Sequence, residues 1–123
     1  MSLIKVFIID QDPVELNILL KRLVKKGLSV KGVEHTEQVP GVMADFNPDV
    51  IIIDPWDANQ REVLNFESVL KNQQNQKVIV LTCQVSLDLV NEIMDKGAFD
   101  FLVKPCPVEE LLMAINHAVK VSL

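Results

Sequence analysis

The sequence predicts an α/β fold: a (βα)5 doubly wound, five-stranded parallel sheet with helices on both faces, a three-layer sandwich. Three observations lead there. Short apolar runs recur along the chain, and the segments between them carry apolar residues at helical spacing. Strands joined through single helices must run parallel, with right-handed crossovers. Two of the apolar runs stop at an acid, Asp10 and Asp54, and so deliver carboxylates to the carboxyl edge of the sheet, where open α/β folds place their ligands.

The central run is Pro48-Asp49-Val50-Ile51-Ile52-Ile53-Asp54-Pro55, an unbroken apolar stretch bounded by turn formers. It reads as a strand buried on both faces. Ile4 to Ile9 is the first strand. Asp12-Pro13-Val14-Glu15 then combines an N-cap acid, Pro at N1 and Glu at N3, the start of a helix. Leu16, Leu19, Leu20, Leu23 and Val24 form its apolar face, and Gly27 suits C′. Leu28 to Val33 alternates weakly, as an edge strand does. Thr36 to Phe46 is helical in part, with Val39, Val42, Met43 and Phe46 inward and Pro40-Gly41 keeping it short.

Beyond the central strand, Val63, Phe66 and Leu70 mark a third helix that ends in the polar run Asn72 to Gln76. Lys77 to Thr82 is the fourth strand. Ser86 with Asp88 starts a helix containing Leu89, Val90, Ile93 and Met94, closed by Gly97. Phe99 to Val103 is the fifth strand, and Lys104-Pro105-Cys106-Pro107 is a rigid break. Val108 to Val121 is the last helix, expected to bury Leu111, Leu112, Ile115 and Val119. Met43, Met94 and Met113 fall at core spacing. His35 and His117 are expected to face solvent.

Composition narrows the function. The chain of 123 residues is expected to be one domain, residues 1–123, and no segment has the length of a membrane span. The net charge of −5 argues against direct nucleic-acid binding, which needs lysine and arginine to displace counterions. No basic-then-apolar leader pattern stands at the amino terminus, so a cytoplasmic location is expected. The two cysteines, Cys83 and Cys106, have no metal-ligand spacing; they follow neighbouring strands, and a regulatory disulfide between them is the minor reading.

In this architecture Asp10, Gln11, Asp12, Asp54, Thr82 and Lys104 all fall at carboxyl ends of strands. A 2-1-3-4-5 strand order puts the switch point between the first and third strands, with Asp10 and Asp54 facing across it. Carboxylates so close repel unless a cation sits between them, and oxygen ligands suit Mg²⁺. Lys104 as a point charge and Thr82 as a hydroxyl donor, facing the same point, complete a site for a phosphoryl group.

With these residues in place, the chain resembles the receiver domain of two-component response regulators, the CheY-like family with its flavodoxin-like fold. The resemblance rests on Ile8-Ile9-Asp10-Gln11-Asp12, Pro48 to Asp54, Val80-Leu81-Thr82 and Gly97-Ala98-Phe99-Asp100-Phe101-Leu102-Val103-Lys104-Pro105. It implies that Asp54 accepts a phosphoryl group from a histidine kinase or phosphotransfer protein and that the domain then switches an output domain or downstream protein. It implies Mg²⁺ held by Asp10, Asp54 and the Trp56 backbone carbonyl. Lys104 would contact the phosphoryl oxygens, Thr82 would swing toward them and Phe101 would follow. The Lys104-Pro105 peptide would be cis. The likeness extends to homodimers through the last two helices and fifth strand, with no enzymatic turnover beyond slow self-dephosphorylation.

The sequence departs from that pattern at Gln11, where the family has a second acid. An amide oxygen can coordinate but carries no charge, and a unit charge at about 4 Å is worth roughly 4 kcal/mol at an effective dielectric near 20, before solvent reduces it. Asp12 can compensate as a metal ligand or serve as the helix N-cap, and the two roles are compatible. The loop Pro55-Trp56-Asp57-Ala58-Asn59-Gln60 is also atypical. A degenerate, unphosphorylated receiver used as a constitutive interaction module is therefore the alternative. A haloacid-dehalogenase-type phosphatase is less favoured, because Trp56 stands where its second Asp would be.

Overall fold

The computed structural model describes residues 3–56, 69, 76–83 and 86–121. Five parallel strands, β1 (Lys5–Asp10), β2 (Ser29–Val33), β3 (Val50–Asp54), β4 (Lys77–Thr82) and β5 (Asp100–Val103), form one sheet in the order β2-β1-β3-β4-β5. Among the described residues four helices cover it: α1 (Pro13–Lys25), α2 (Val39–Phe46), α3 (Leu87–Asp95) and α4 (Val108–Lys120). A 3-10 turn, Thr36–Gln38, leads into α2. The helix expected around Val63, Phe66 and Leu70 lies outside the described residues, as does Asp57.

The sheet explains its own sequence. β3 is the middle strand and every one of its five residues is buried, which is why it reads as a continuous apolar run rather than an alternation. Side chains still alternate between the two faces. Phe7, Ile9, Ile51, Ile53, Val78 and Val80 face α2 and α3; Val6, Ile8, Val50, Ile52, Ile79 and Leu81 face α1 and α4. Each fully buried Ile or Leu here stabilises the fold by about 1.5–3 kcal/mol relative to exposure. β2 is an edge strand, as its weak alternation foretold.

The helix ends follow local chemistry. Asp12 caps α1, its Oδ1 accepting from Val14 N at 3.0 Å, and Ser86 caps α3, its Oγ accepting from Leu89 N at 3.1 Å. Gly27 and Gly97 follow α1 and α3 with φ of +87° and +108°, a conformation that costs a side-chain-bearing residue far more than glycine.

The helical faces need correction at five residues. Val24 is 57% exposed, because eight residues at about 100° each leave it about 80° round from Leu16. Met113 is 74% exposed, lying on the far side of α4 from Leu111. α4 buries Leu111, Ala114, Ile115 and Ala118, while Leu112 and Val119 are only half-buried; two alanines at the contact let the helix lie close to the sheet. Met94 is partly exposed as well.

Two glycines make opposite tests of this packing. A Cβ on Gly32 in β2 would come within 2.6 Å of Leu16 Cδ1, on a side chain that is itself buried under α1. Gly32→Ala is expected to cost about 1 kcal/mol in chemical denaturation. A Cβ on Gly41 in α2 meets nothing within 4 Å. Gly41→Ala is expected to stabilise by roughly 0.5 kcal/mol, by reducing the freedom of the unfolded chain.

Candidate functional site

Alternation decides which side chains meet at the carboxyl edge. Asp10 continues the series Val6, Ile8, and Asp54 continues Val50, Ile52, so both carboxylates lean to the α1 and α4 face. They are also register partners on adjacent strands. Lys104 continues the alternation of Leu102, which packs on the same face. Its backbone N–H donates to Thr82 O at 2.9 Å, tying the residue to the end of β4. The Lys104-Pro105 peptide is cis, as the resemblance implied.

The result is a four-residue charge cluster. Lys104 Nζ donates to Asp10 Oδ2 at 2.9 Å and to Asp54 Oδ2 at 2.8 Å, and it also donates to Glu15 Oε2. Asp10 is 6% and Asp54 8% exposed. Their remaining oxygens accept from the backbone: Asp12 N to Asp10 Oδ1 at 2.9 Å, and Trp56 N to Asp54 Oδ1 at 3.3 Å. Carboxylate oxygens of Asp10, Glu15 and Asp54 all lie within 4.8 Å of one another. Hard oxygen donors in that arrangement fit a small divalent cation, and an ammonium already sits among them.

The other sequence candidates are placed differently. Gln11 is exposed. Asp12 spends its Oδ1 on the α1 cap, which decides the main role of that side chain. Thr82 is fully buried and continues the alternation of Val78 and Val80, so it belongs to the face opposite the carboxylates. Lys104 and Thr82 are thus joined through the backbone, at the ends of neighbouring strands. Phe101 and Trp56 are half-buried against the same cluster as Val78 and Val80. Cys83 and Cys106 are free thiols. His35 and His117 are exposed, with the His117 ring edge-on to Phe99 at 5.2 Å.

Glu15 is the residue that sequence reasoning missed. The sequence marks it only as the Glu at N3 of a helix start, a position from which a glutamate can reach back to the N-cap N–H. Here Asp12 N–H donates to Asp10 instead, and the Glu15 carboxylate turns to Lys104. The signal was present: N3 of a helix that begins at the carboxyl edge of β1 stands over that edge.

Burial and pairing set the ionisation of the cluster. Burial raises the Asp10 pKa above its ordinary value, and hydrogen bonds from Lys104 and Asp12 offset this only in part. Burial pulls the Lys104 ammonium toward neutrality, but hydrogen bonds to Asp54, Glu15 and Asp10 outweigh it and hold its pKa above the ordinary lysine range. A lysine raised in this way contributes stability that is complete below its ordinary pKa and lost only as pH climbs through the higher folded value. A raised Asp10 carries the same sign: the fold gains as pH falls through the raised pKa and loses as pH climbs back through it. Lys104→Met should therefore destabilise the chain by roughly 2 kcal/mol at pH 7, and the deficit should narrow toward pH 4 as a facing carboxylate takes up a proton. Denaturation curves at the two pH values check this. Asp12→Ala should cost about 1 kcal/mol through the lost cap, and Asp12→Asn much less.

The matching family model describes a response regulator receiver domain and covers residues 6–116. The chain is 27% identical over 115 residues to the DNA-binding transcriptional regulator NtrC of Proteus hauseri, covering 93% of this chain and 24% of that protein. It is 30% identical over 115 residues to the transcriptional regulatory protein GlrR of Escherichia coli strain K12, covering 94% of this chain and 26% of that protein. The chain thus spans about a quarter of the length of these relatives. Among solved structures, a response regulator receiver domain protein from Clostridium thermocellum superposes with a TM-score of 0.82 at 27% identity, covering 96% of this chain and 95% of that one. The beryllofluoride-activated NtrC4 receiver domain dimer gives 0.82 at 25% identity, covering 97% and 98%. With its strand order, its paired aspartates and Lys104 all accounted for, the chain belongs to the response regulator receiver domain family.

Proposed function

We propose that this receiver is a phosphoacceptor, taking a phosphoryl group from a histidine kinase or phosphotransfer protein onto Asp54 and passing the change to an output domain or downstream protein. The observation that carries this reading is the Lys104 ammonium bonded at once to Asp10 and Asp54 at the carboxyl edge of the sheet. A carboxylate is a poor nucleophile toward an anionic phosphoryl group unless charge nearby is neutralised, so the work of the site is positioning and electrostatics.

In the transfer an Asp54 carboxylate oxygen forms a bond to phosphorus while the phosphorus–nitrogen bond of the donor phosphohistidine breaks. The imidazole leaves with the electron pair, and Asp54 becomes an acyl phosphate. Lys104 is placed to neutralise the phosphoryl oxygens, on a strand end tied to Thr82 by its backbone. Asp10, Asp54 and the Trp56 carbonyl would hold Mg²⁺, with Gln11 or Asp12 as further oxygen donors. Mg²⁺ bound there would supply charge neutralisation for the attacking and transferred oxygens. Thr82 and Phe101 would carry the change to the α2 and α3 face, where Phe101 and Leu89 of α3 pack against the same buried cluster.

On this reading the domain is a signalling element with at most slow self-dephosphorylation. Its fit to a cytoplasmic relay rests on family membership and on the finding that, among the described residues, no helix is long and apolar enough to cross a membrane. Homodimerisation gains support from the NtrC4 receiver, which is a dimer in its beryllofluoride-activated form, and α3, β5 and α4 are the face proposed for it here. Gln11 is the observation that favours the second reading, a receiver no longer phosphorylated and used as a constitutive interaction module.

Incubation with Mg²⁺ and acetyl phosphate, followed by intact mass, separates the two. The phosphoacceptor reading expects one added phosphoryl group in the parent chain and none in Asp54→Asn. No adduct under saturating Mg²⁺ would contradict the phosphoacceptor reading and favour the unphosphorylated module.

A further inference from the structure

We infer that Glu15 supplies the third carboxylate of the divalent-cation site, in place of the acid that position 11 lacks. The inference rests on the Mg²⁺-dependent reading above and names a residue for it. Its first support is the direction of the side chain. An N3 glutamate has a partner available within its own helix, the N-cap N–H. In this chain that donor is committed to Asp10 Oδ1 at 2.9 Å, and the Glu15 carboxylate crosses from α1 to Lys104. Glu15 is half-exposed, so it could have stayed in water at little cost; it lies instead in a cluster with two buried acids.

The second support is that these oxygens already bind a cation. The Lys104 ammonium takes one oxygen from each of Asp10, Asp54 and Glu15. Three carboxylates against one ammonium leave two negative charges over, which a divalent cation cancels. With a neutral side chain at position 15 only one would remain. Gln11 is exposed and uncharged, so the anionic charge that a receiver places beside its first strand arrives here from the first turn of α1. When a divalent cation takes Asp10 and Asp54, Glu15 is also the carboxylate that keeps Lys104 at the edge of the site.

Mg²⁺ titration of the whole chain without any phosphodonor tests this, read by fluorescence of Trp56, the sole tryptophan, whose N–H donates to Asp54. Glu15→Gln should weaken Mg²⁺ binding by about tenfold. Adding Gln11→Asp to that variant should recover most of the loss, because charge is returned to the same cluster. Glu92→Gln, which removes an equal charge from α3 away from the cluster, should bind as the parent does. Thermal melting keeps the variants comparable, since Glu15 is exposed enough for Gln to be accommodated. Parent-like affinity in Glu15→Gln, or failure of Gln11→Asp to restore it, would overturn the inference and leave the phosphoacceptor reading standing. Absence of saturable Mg²⁺ binding in the parent chain would overturn both.

Discussion

The constraint on which the site depends is electrostatic: two aspartates at adjacent strand ends, both largely out of water, cannot stay charged side by side without a cation. Adjacent parallel strands lie about 4.8 Å apart. Asp10 and Asp54 are paired in register across that gap. In water such a pair would cost little, but here burial raises the Asp10 pKa and strengthens every charge interaction nearby. Lys104 resolves the conflict by bonding to both. The ammonium comes from beyond β5, and its backbone is held to Thr82 at the end of β4, so three strand ends are linked by one residue.

The same constraint connects fold to function. One chain-borne ammonium leaves two of the three carboxylate charges uncancelled, and on the proposed reading a divalent cation and a phosphoryl group would take over these partners. The two faces of the sheet divide the labour. Asp10 and Asp54 follow the alternation of the strand residues on the α1 and α4 side and bond to Lys104 there, while Phe101 packs on the side of α2 and α3. Chemistry on one face can reach the other only through the strand ends, and the Lys104 N–H to Thr82 carbonyl bond is one such crossing.

Most of this was legible in the sequence where a pattern had a single physical meaning. The run Val50–Asp54 could scarcely be anything but a central strand, and Asp10 and Asp54 followed from where such strands stop. Cap residues Asp12 and Ser86 stand where their chemistry put them. The failures came where a pattern had two meanings. Glu15 satisfies a capping box on paper, and only the diversion of the Asp12 N–H to Asp10 releases it to the site. Val24 drifts off the buried stripe over two turns, and Met113, two residues from Leu111, falls on the opposite side of its helix.

The account stands on a cation being exchangeable with Lys104 between two strand-end carboxylates. Diffraction from crystals soaked in Mn²⁺, with anomalous scattering to locate the ion, addresses that directly. The expected result is one anomalous peak in contact with both Asp10 and Asp54, and the Lys104 Nζ withdrawn from at least one of them. Lys104 still bonded to both aspartates, with no peak between them at saturating Mn²⁺, would contradict it.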